Sequence, residues 1–291
     1  MVTKYDNLTI VNAPSDEEIE ILISQDGLDS GFVYSSLDEE ESPRVEFEDT
    51  QTLIIIDVPV METRKNQGEK PTLLYYTTPI GIIRTKTDTF ILSSKENLLI
   101  EELTSGNLNY SYKSRLILTL LMKTAQHYLR YLKTIDKLTV FTEKSLGKTL
   151  TNTELIRLLE LEKSLVYFQA SLKSNQTVLD RIYNGRVMPL YEEDKDLLED
   201  VLIEFRQAVD MASIYSQTLE DTMQATSSII NNNLNIVMRK LTVITIILAI
   251  PTIVFSFYGM NVEKLPYAEN PLVACVLSLC AAIILAFYIK D

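Results

Sequence analysis

The chain has 291 residues, 46% hydrophobic and 23% charged, a composition that excludes disorder, collagen and a pure coiled coil. Its 27 Lys+Arg against 40 Asp+Glu leave a net charge of −13, which argues against nucleic acid as a partner, because phosphate recognition needs a basic footprint, and favours a cation. Two cysteines, Cys275 and Cys280, sit in an apolar run and His127 is the single histidine, so a disulfide framework, a thiolate cluster and a multi-histidine metal centre are all excluded.

Residues 1–50 carry fourteen acidic and two basic side chains, nearly all of the net charge. The first residues lack the basic start and apolar core of a signal peptide, so the N-terminus is expected to stay in the cytoplasm. Ser15-Asp16-Glu17-Glu18 predicts a capped short helix. Strand-like runs follow at Thr52–Val58, Thr72–Thr77, Ile80–Thr85 and Thr89–Ser93, the last two joined around Lys86-Thr87-Asp88 as a hairpin. Together these predict a cytoplasmic α/β domain over 1–112.

Residues 113–188 read as a cytoplasmic helical hairpin, with helices over about Ser114–Phe141 and Thr151–Asn175. The second opens on the capping-box pattern Thr151-Asn152-Thr153-Glu154, and Asn184-Gly185 marks the turn that follows. Over 189–240 apolar residues recur at helical spacing, among them Leu198, Val201, Phe205, Ala208, Ala212 and Leu219, with no Gly or Pro between. The pattern predicts a stalk helix, about 75 Å long, running straight into an apolar segment. No glycine-rich phosphate loop, nucleophile constellation or kinase motif accompanies these elements, so enzyme activity is not expected.

Leu241–Tyr258 is uncharged over 18 residues and as a helix is about 27 Å long, enough to cross a bilayer. Leu272–Ile289 is a second uncharged stretch of the same length. The expected arrangement is a transmembrane helix at 241–258, an external loop at 259–271, and a second transmembrane helix with a short cytoplasmic C-terminus at 272–291. Arg239, Lys240 and Lys290 outnumber Lys264 of the loop, which places both termini in the cytoplasm of a multi-pass cell-membrane (inner or plasma membrane) protein. Two helices cannot enclose a pathway, so transport would require an oligomer with a polar stripe facing its axis. Thr245, Thr252 and Gly259 recur every seven residues above Met238, and Leu241, Leu248 and Ser256 lie on or beside that face. Ile246, Ile247, Ile250, Ile253 and Val254 would face lipid or the second span. Hydroxyls in a membrane helix also bond their own i−4 carbonyl, so periodicity alone leaves a pore and a plain anchor both open.

Tyr258-Gly259-Met260-Asn261 ends the first of the two spans, and here the sequence resembles the CorA family of magnesium channels, whose signature is Gly-Met-Asn at this position. Upstream, Asn235-Ile236-Val237-Met238-Arg239-Lys240-Leu241-Thr242 is similar to the family's Asn-x-x-Met-Lys-x-Leu-Thr segment leading into the pore helix. The resemblance is specific over about residues 190–291 and architectural before that. It implies an α+β cytoplasmic domain with a long stalk helix, followed by two transmembrane α-helices and assembled as a pentameric funnel. It implies Mg2+ as both transported ion and regulatory ligand, with Co2+, Ni2+ or Zn2+ as further candidate ions. Gly259, Met260 and Asn261 would form the selectivity filter, and Asn261 would meet the ion through its hydration shell. Asn235, Met238, Leu241, Thr245, Leu248, Thr252 and Ser256 would line the pore, and Asp200 is the candidate regulatory metal ligand.

The chemistry suits such a motif. Mg2+ holds its waters tightly, so neutral oxygens that accept hydrogen bonds from those waters make a better filter than carboxylates that would trap the ion. Gly259 is expected to let the helix end and turn its carbonyls inward, and Met260 to pack on a neighbouring helix. Ala249 stands where some members have Met, so the hydrophobic constriction would rest on Met238, Leu241 and Leu248. Glu263 and Glu269 of the loop would concentrate cations or serve only as solvated charges. Two alternatives stay open: a zinc or other transition-metal transporter of the same superfamily, and a two-span membrane-anchored scaffold or signalling receptor.

Overall fold

The structure, a computed structural model, describes residues 2–64, 72–104, 113–146, 152–185, 187–260 and 271–290. It divides into two units, Met1–Thr222 and Met223–Asp291.

The first unit opens with β1 (Val2–Tyr5), β2 (Leu8–Asn12), α1 (Asp16–Ser24) and α2 (Ser30–Leu37). Ser15 closes the expected capping box on α1: its hydroxyl accepts from the Glu18 N–H at 3.3 Å and the Glu18 carboxylate accepts from the Ser15 N–H at 3.0 Å. Strands β3 (Arg44–Glu48), β4 (Gln51–Arg64), β5 (Thr72–Arg84) and β6 (Thr89–Ser93) follow. The six strands form one sheet in the order β1-β2-β6-β5-β4-β3, antiparallel throughout except for the parallel pair β2–β6.

The predicted β5–β6 hairpin forms, with Arg84 opposite Thr89. The break predicted at Pro79 does not. β5 runs through it unbroken, with Pro79 opposite Asp57 of β4. β6 reaches along β5 only to Gly81, so Pro79 lies where neither neighbour requires its missing N–H. The sequence reading also passed over β1, β2, β3 and α2.

Leu53–Ile56 of β4 are all fully buried, as in a strand covered on both faces. Leu53 and Ile55 join Phe32, Val33, Ile83 and Leu92 in a core cluster roofed by α1 and α2. The alternate residues Ile54, Ile56 and Ile82 are buried on the other side. Gly81 is where α2 comes closest to β5: a Cβ there would overlap the Ser36 side chain and lie 2.9 Å from its Cα.

After α3 (Leu98–Thr104) come α4 (Lys113–Leu146) and α5 (Asn152–Tyr183), both packed along β4, with α5 reaching β5 and β3. α5 continues well past Asn175, where the sequence suggested a turn. The buried His127 of α4 spends its Nε2 on Glu102 of α3, at 3.0 Å, and this bond holds the Glu102 carboxyl below its ordinary range. The first unit ends within α6 (Glu192–Tyr258), a single 67-residue helix in which Leu198, Val201, Phe205, Ala208, Ala212 and Leu219 are buried. The apolar spacing in the sequence thus marked the face that packs.

The second unit contains the rest of α6 and α7 (Pro271–Lys290). α6 passes unbroken through Pro251. Its segment of high hydropathy, mean 2.2, is the single stretch among the described residues that is long and apolar enough to cross a membrane; the described apolar part of α7 runs from Leu272 to Ile284.

Candidate ion pathway

Each helix of the second unit has one covered side. On α6, Val243, Ile247, Ile250, Pro251, Val254 and Tyr258 are half-buried at helical spacing. On α7, the small residues Ala274 and Ser278 are buried and Ala281 and Ala282 half-buried, a face that permits close helix approach. Of the five residues expected to face lipid or the second span, Ile247, Ile250 and Val254 are on this covered side, whereas Ile246 and Ile253 are exposed.

The polar stripe is on the other side. Met238, Leu241, Thr245, Leu248, Thr252 and Ser256 are all exposed, Leu248 by 65%. At about 100° per residue this stripe lies roughly 150° around the helix from the covered one. Asn235 is exposed lower on the same helix.

The threonine hydroxyls have a defined polarity. Thr245 Oγ1 donates to the Leu241 carbonyl at 2.9 Å, Thr252 Oγ1 to Leu248 at 3.3 Å, and Thr242 Oγ1 to Met238 at 2.9 Å. Each proton is spent within the helix, so the lone pairs that remain are acceptors only.

α6 stops at Tyr258. The Gly259 N–H still reaches the Phe255 carbonyl at 2.9 Å, and the Met260 N–H reaches Phe257 at 3.4 Å. Gly259 has no positive φ, unlike Gly27 and Gly185, so the helix does not end through a left-handed glycine here. Met260 is exposed. Asn261 lies outside the described residues, as do Glu263 and Glu269 of the loop. Asp200 is exposed on α6 in the first unit. Among the described residues, no three His, Cys, Asp or Glu side chains converge to hold a metal ion.

The sequence reading missed a polar cluster where α5 meets the sheet. Ser171 Oγ lies 2.5 Å from Asp57 Oδ2 and 2.9 Å from Thr77 Oγ1, and Asn175 bonds the Asp57 backbone. Burial pushes the Asp57 carboxyl up to about 6, against the lowering effect of the Ser171 bond. An acid interrupting the apolar run Leu53-Ile54-Ile55-Ile56-Asp57-Val58 was the available signal.

The chain is similar to known proteins over nearly its whole length. It matches the family described as "CorA-like Mg2+ transporter protein" over residues 9–290. It is 29% identical over 263 residues to the cobalt/magnesium transport protein CorA of Methanocaldococcus jannaschii, covering 89% of this chain and 80% of the relative. The complete structure of the CorA magnesium transporter from that organism superposes with a TM-score of 0.80 at 26% identity, covering 99% of this chain and 90% of the other. The full-length CmaX structure shares the fold, with a TM-score of 0.70 at 15% identity over 97% of this chain and 86% of the other. The outward stripe on α6, the α+β unit before it and these matches agree, and the chain belongs to the CorA-like Mg2+ transporter family.

Proposed function

We propose that the chain forms a homopentameric membrane channel for hydrated divalent cations, Mg2+ first and Co2+ beside it, closed when Mg2+ binds its cytoplasmic domain. The observation that carries the reading is the side of α6 turned away from α7, with its exposed Thr245 and Thr252 and their donors already used. Such a surface accepts hydrogen bonds from the waters around a cation and offers no proton that would repel them. One helix cannot enclose an ion, whereas the same stripe contributed by several copies can. Gly259, Met260 and Asn261 form the filter at its outer end; Met238, Leu241 and Leu248 form the apolar constriction, with Asn235 and Ser256 also lining the path.

The spans are 241–258 and 272–289, with both termini on the cytoplasmic side. Asp200 stands alone on its helix, so a regulatory Mg2+ bound there takes its other ligands from a neighbouring copy. The experiment is Mg2+ entry into proteoliposomes loaded with a Mg2+-sensitive dye, with Co2+, Ni2+ and Zn2+ as competitors. Dye response blocked by Co2+ is the expected result. No entry from correctly assembled protein overturns the channel and leaves the membrane-anchored scaffold; Zn2+ entry exceeding Mg2+ entry overturns the ion assignment.

A further inference from the structure

Between the acidic loop after α2 and helix α5 lies a cavity of about 650 Å3 whose lining includes Asp57, Thr77 and Ser171. Ser171 has one hydroxyl proton and two oxygen neighbours, Asp57 Oδ2 at 2.5 Å and Thr77 Oγ1 at 2.9 Å. With Asp57 ionised, Ser171 donates to the carboxylate and Thr77 must donate to Ser171. With Asp57 protonated, its hydroxyl donates to Ser171 and Ser171 donates to Thr77. A proton on Asp57 therefore reverses a hydrogen-bond chain joining β4, β5 and α5 without moving an oxygen.

The surroundings set which state is favoured. Glu39, Glu40 and Glu41 of the loop and Glu160 of α5 line the same cavity, opposed by Lys163 of α5. Lys163 Nζ sits 5.8 Å from the centre of the Tyr167 ring. Glu39 and Glu41 are engaged by Lys95 at 2.7 Å and by Arg44 of β3 at 2.6 Å, and Arg44 also holds Glu46 of β3 at 3.0 Å. Tyr76 of β5 lines the wall, and the Tyr128 hydroxyl of α4 donates to the Asp57 carbonyl at 3.1 Å. Among these described residues no cation is paired with the Asp57 carboxylate, so ionisation places an unneutralised charge beneath other acids.

We propose that the Asp57–Ser171–Thr77 chain is a regulatory proton site, at which protonation tightens α5 against the sheet and ionisation loosens it. The sign follows from the direction of the shift. The folded carboxyl titrates at about 6 against an ordinary 3.8, so its contribution to stability is complete below the unfolded value and is lost as pH rises through about 6. The limiting effect is about a hundredfold in proton affinity. The inference does not rest on ion transport.

The test is hydrogen–deuterium exchange of the full-length protein in detergent, corrected for intrinsic pH dependence, with infrared spectroscopy of protonated carboxyl groups. Protection around Ser171 and Thr77 should rise severalfold to about a hundredfold as pH falls through the inflection, as a carboxyl band grows in. Asp57→Asn stays neutral, so it should keep high protection at every pH and lose the band. Ser171→Ala removes a bond that favours the charged form, so the inflection should move to higher pH. An inflection that survives Asp57→Asn overturns the proposal. Should that variant fail to fold, an inflection left unmoved by Ser171→Ala overturns it equally.

Discussion

Asn175 holds Asp57 by both of its backbone polar groups: its Oδ1 accepts from the Asp57 N–H at 2.9 Å and its Nδ2 donates to the Asp57 carbonyl at 2.7 Å. Pairing of β3 with β4 ends at Arg44 opposite Ile55, so no strand residue is available further along that edge. The side-chain amide takes its place, tying α5 to a strand residue 118 positions away. Because both groups point to Asn175, they turn away from β5, and Pro79 sits opposite without being asked for an N–H.

Asn175→Ala leaves an inward-facing N–H unpaired and the carbonyl with Tyr128 alone, and should cost about 2 to 3 kcal/mol of stability. Asn175→Asp keeps an acceptor for the N–H but sets a carboxylate oxygen against the carbonyl, so it should recover little. Thermal unfolding followed by circular dichroism measures both; an Asn175→Ala midpoint equal to wild type would show that water replaces the amide.

Gly81→Ala puts a methyl group into Ser36, and the overpacking should cost about 1 to 3 kcal/mol. The clash involves the Cβ of Ser36 as well as its hydroxyl, so Ser36→Gly should relieve it and Ser36→Ala should not. A double-mutant cycle reads the coupling directly, and additive effects of Gly81→Ala and Ser36→Gly would refute the contact.

Asn261→Ala removes one neutral oxygen from every copy at the proposed filter. At about 1.5 to 3 kcal/mol for each charge-assisted bond, partial loss lowers ion occupancy tenfold or more. Assembly should survive, because the residue follows the end of α6. Asn261→Asp should bind ions more tightly and discriminate less. Proteoliposome flux with competing cations checks both, and wild-type rate and preference in Asn261→Ala would remove the filter from this position.

Asp200→Ala should weaken the protection that Mg2+ gives the first unit against proteolysis, whereas Asp200→Lys should mimic the bound cation and favour the closed form. Limited proteolysis across a Mg2+ titration distinguishes them. Equal protection in wild type and both variants would reduce Asp200 to a solvated helix charge.

Periodicity made α6 legible from the sequence. The spacing from Leu198 to Leu219 marked the buried face, and the uncharged run after Lys240 marked its continuation into the apolar segment. The capping box at Ser15 and the β5–β6 hairpin were equally local and equally readable. Strands β1 to β3 were not, because they are short and their faces are assigned only by pairing. Pro79 misled because a proline's cost depends on whether a neighbouring strand needs its N–H, which only the ends of β3 and β6 decide.

The site divides in the same way. The sevenfold recurrence of Thr245 and Thr252 is a property of one helix and so could be read from the sequence alone. The sequence could not say which side α7 covers or that the threonine protons are spent on Leu241 and Leu248, since these depend on helix pairing and rotamers. Asp57, Ser171, Thr77 and Asn175 lie far apart along the chain and carry no shared motif. They meet because α5 crosses the edge that β3 leaves open, and long-range packing of this kind, with the desolvation it imposes on Asp57, exists only in the folded molecule.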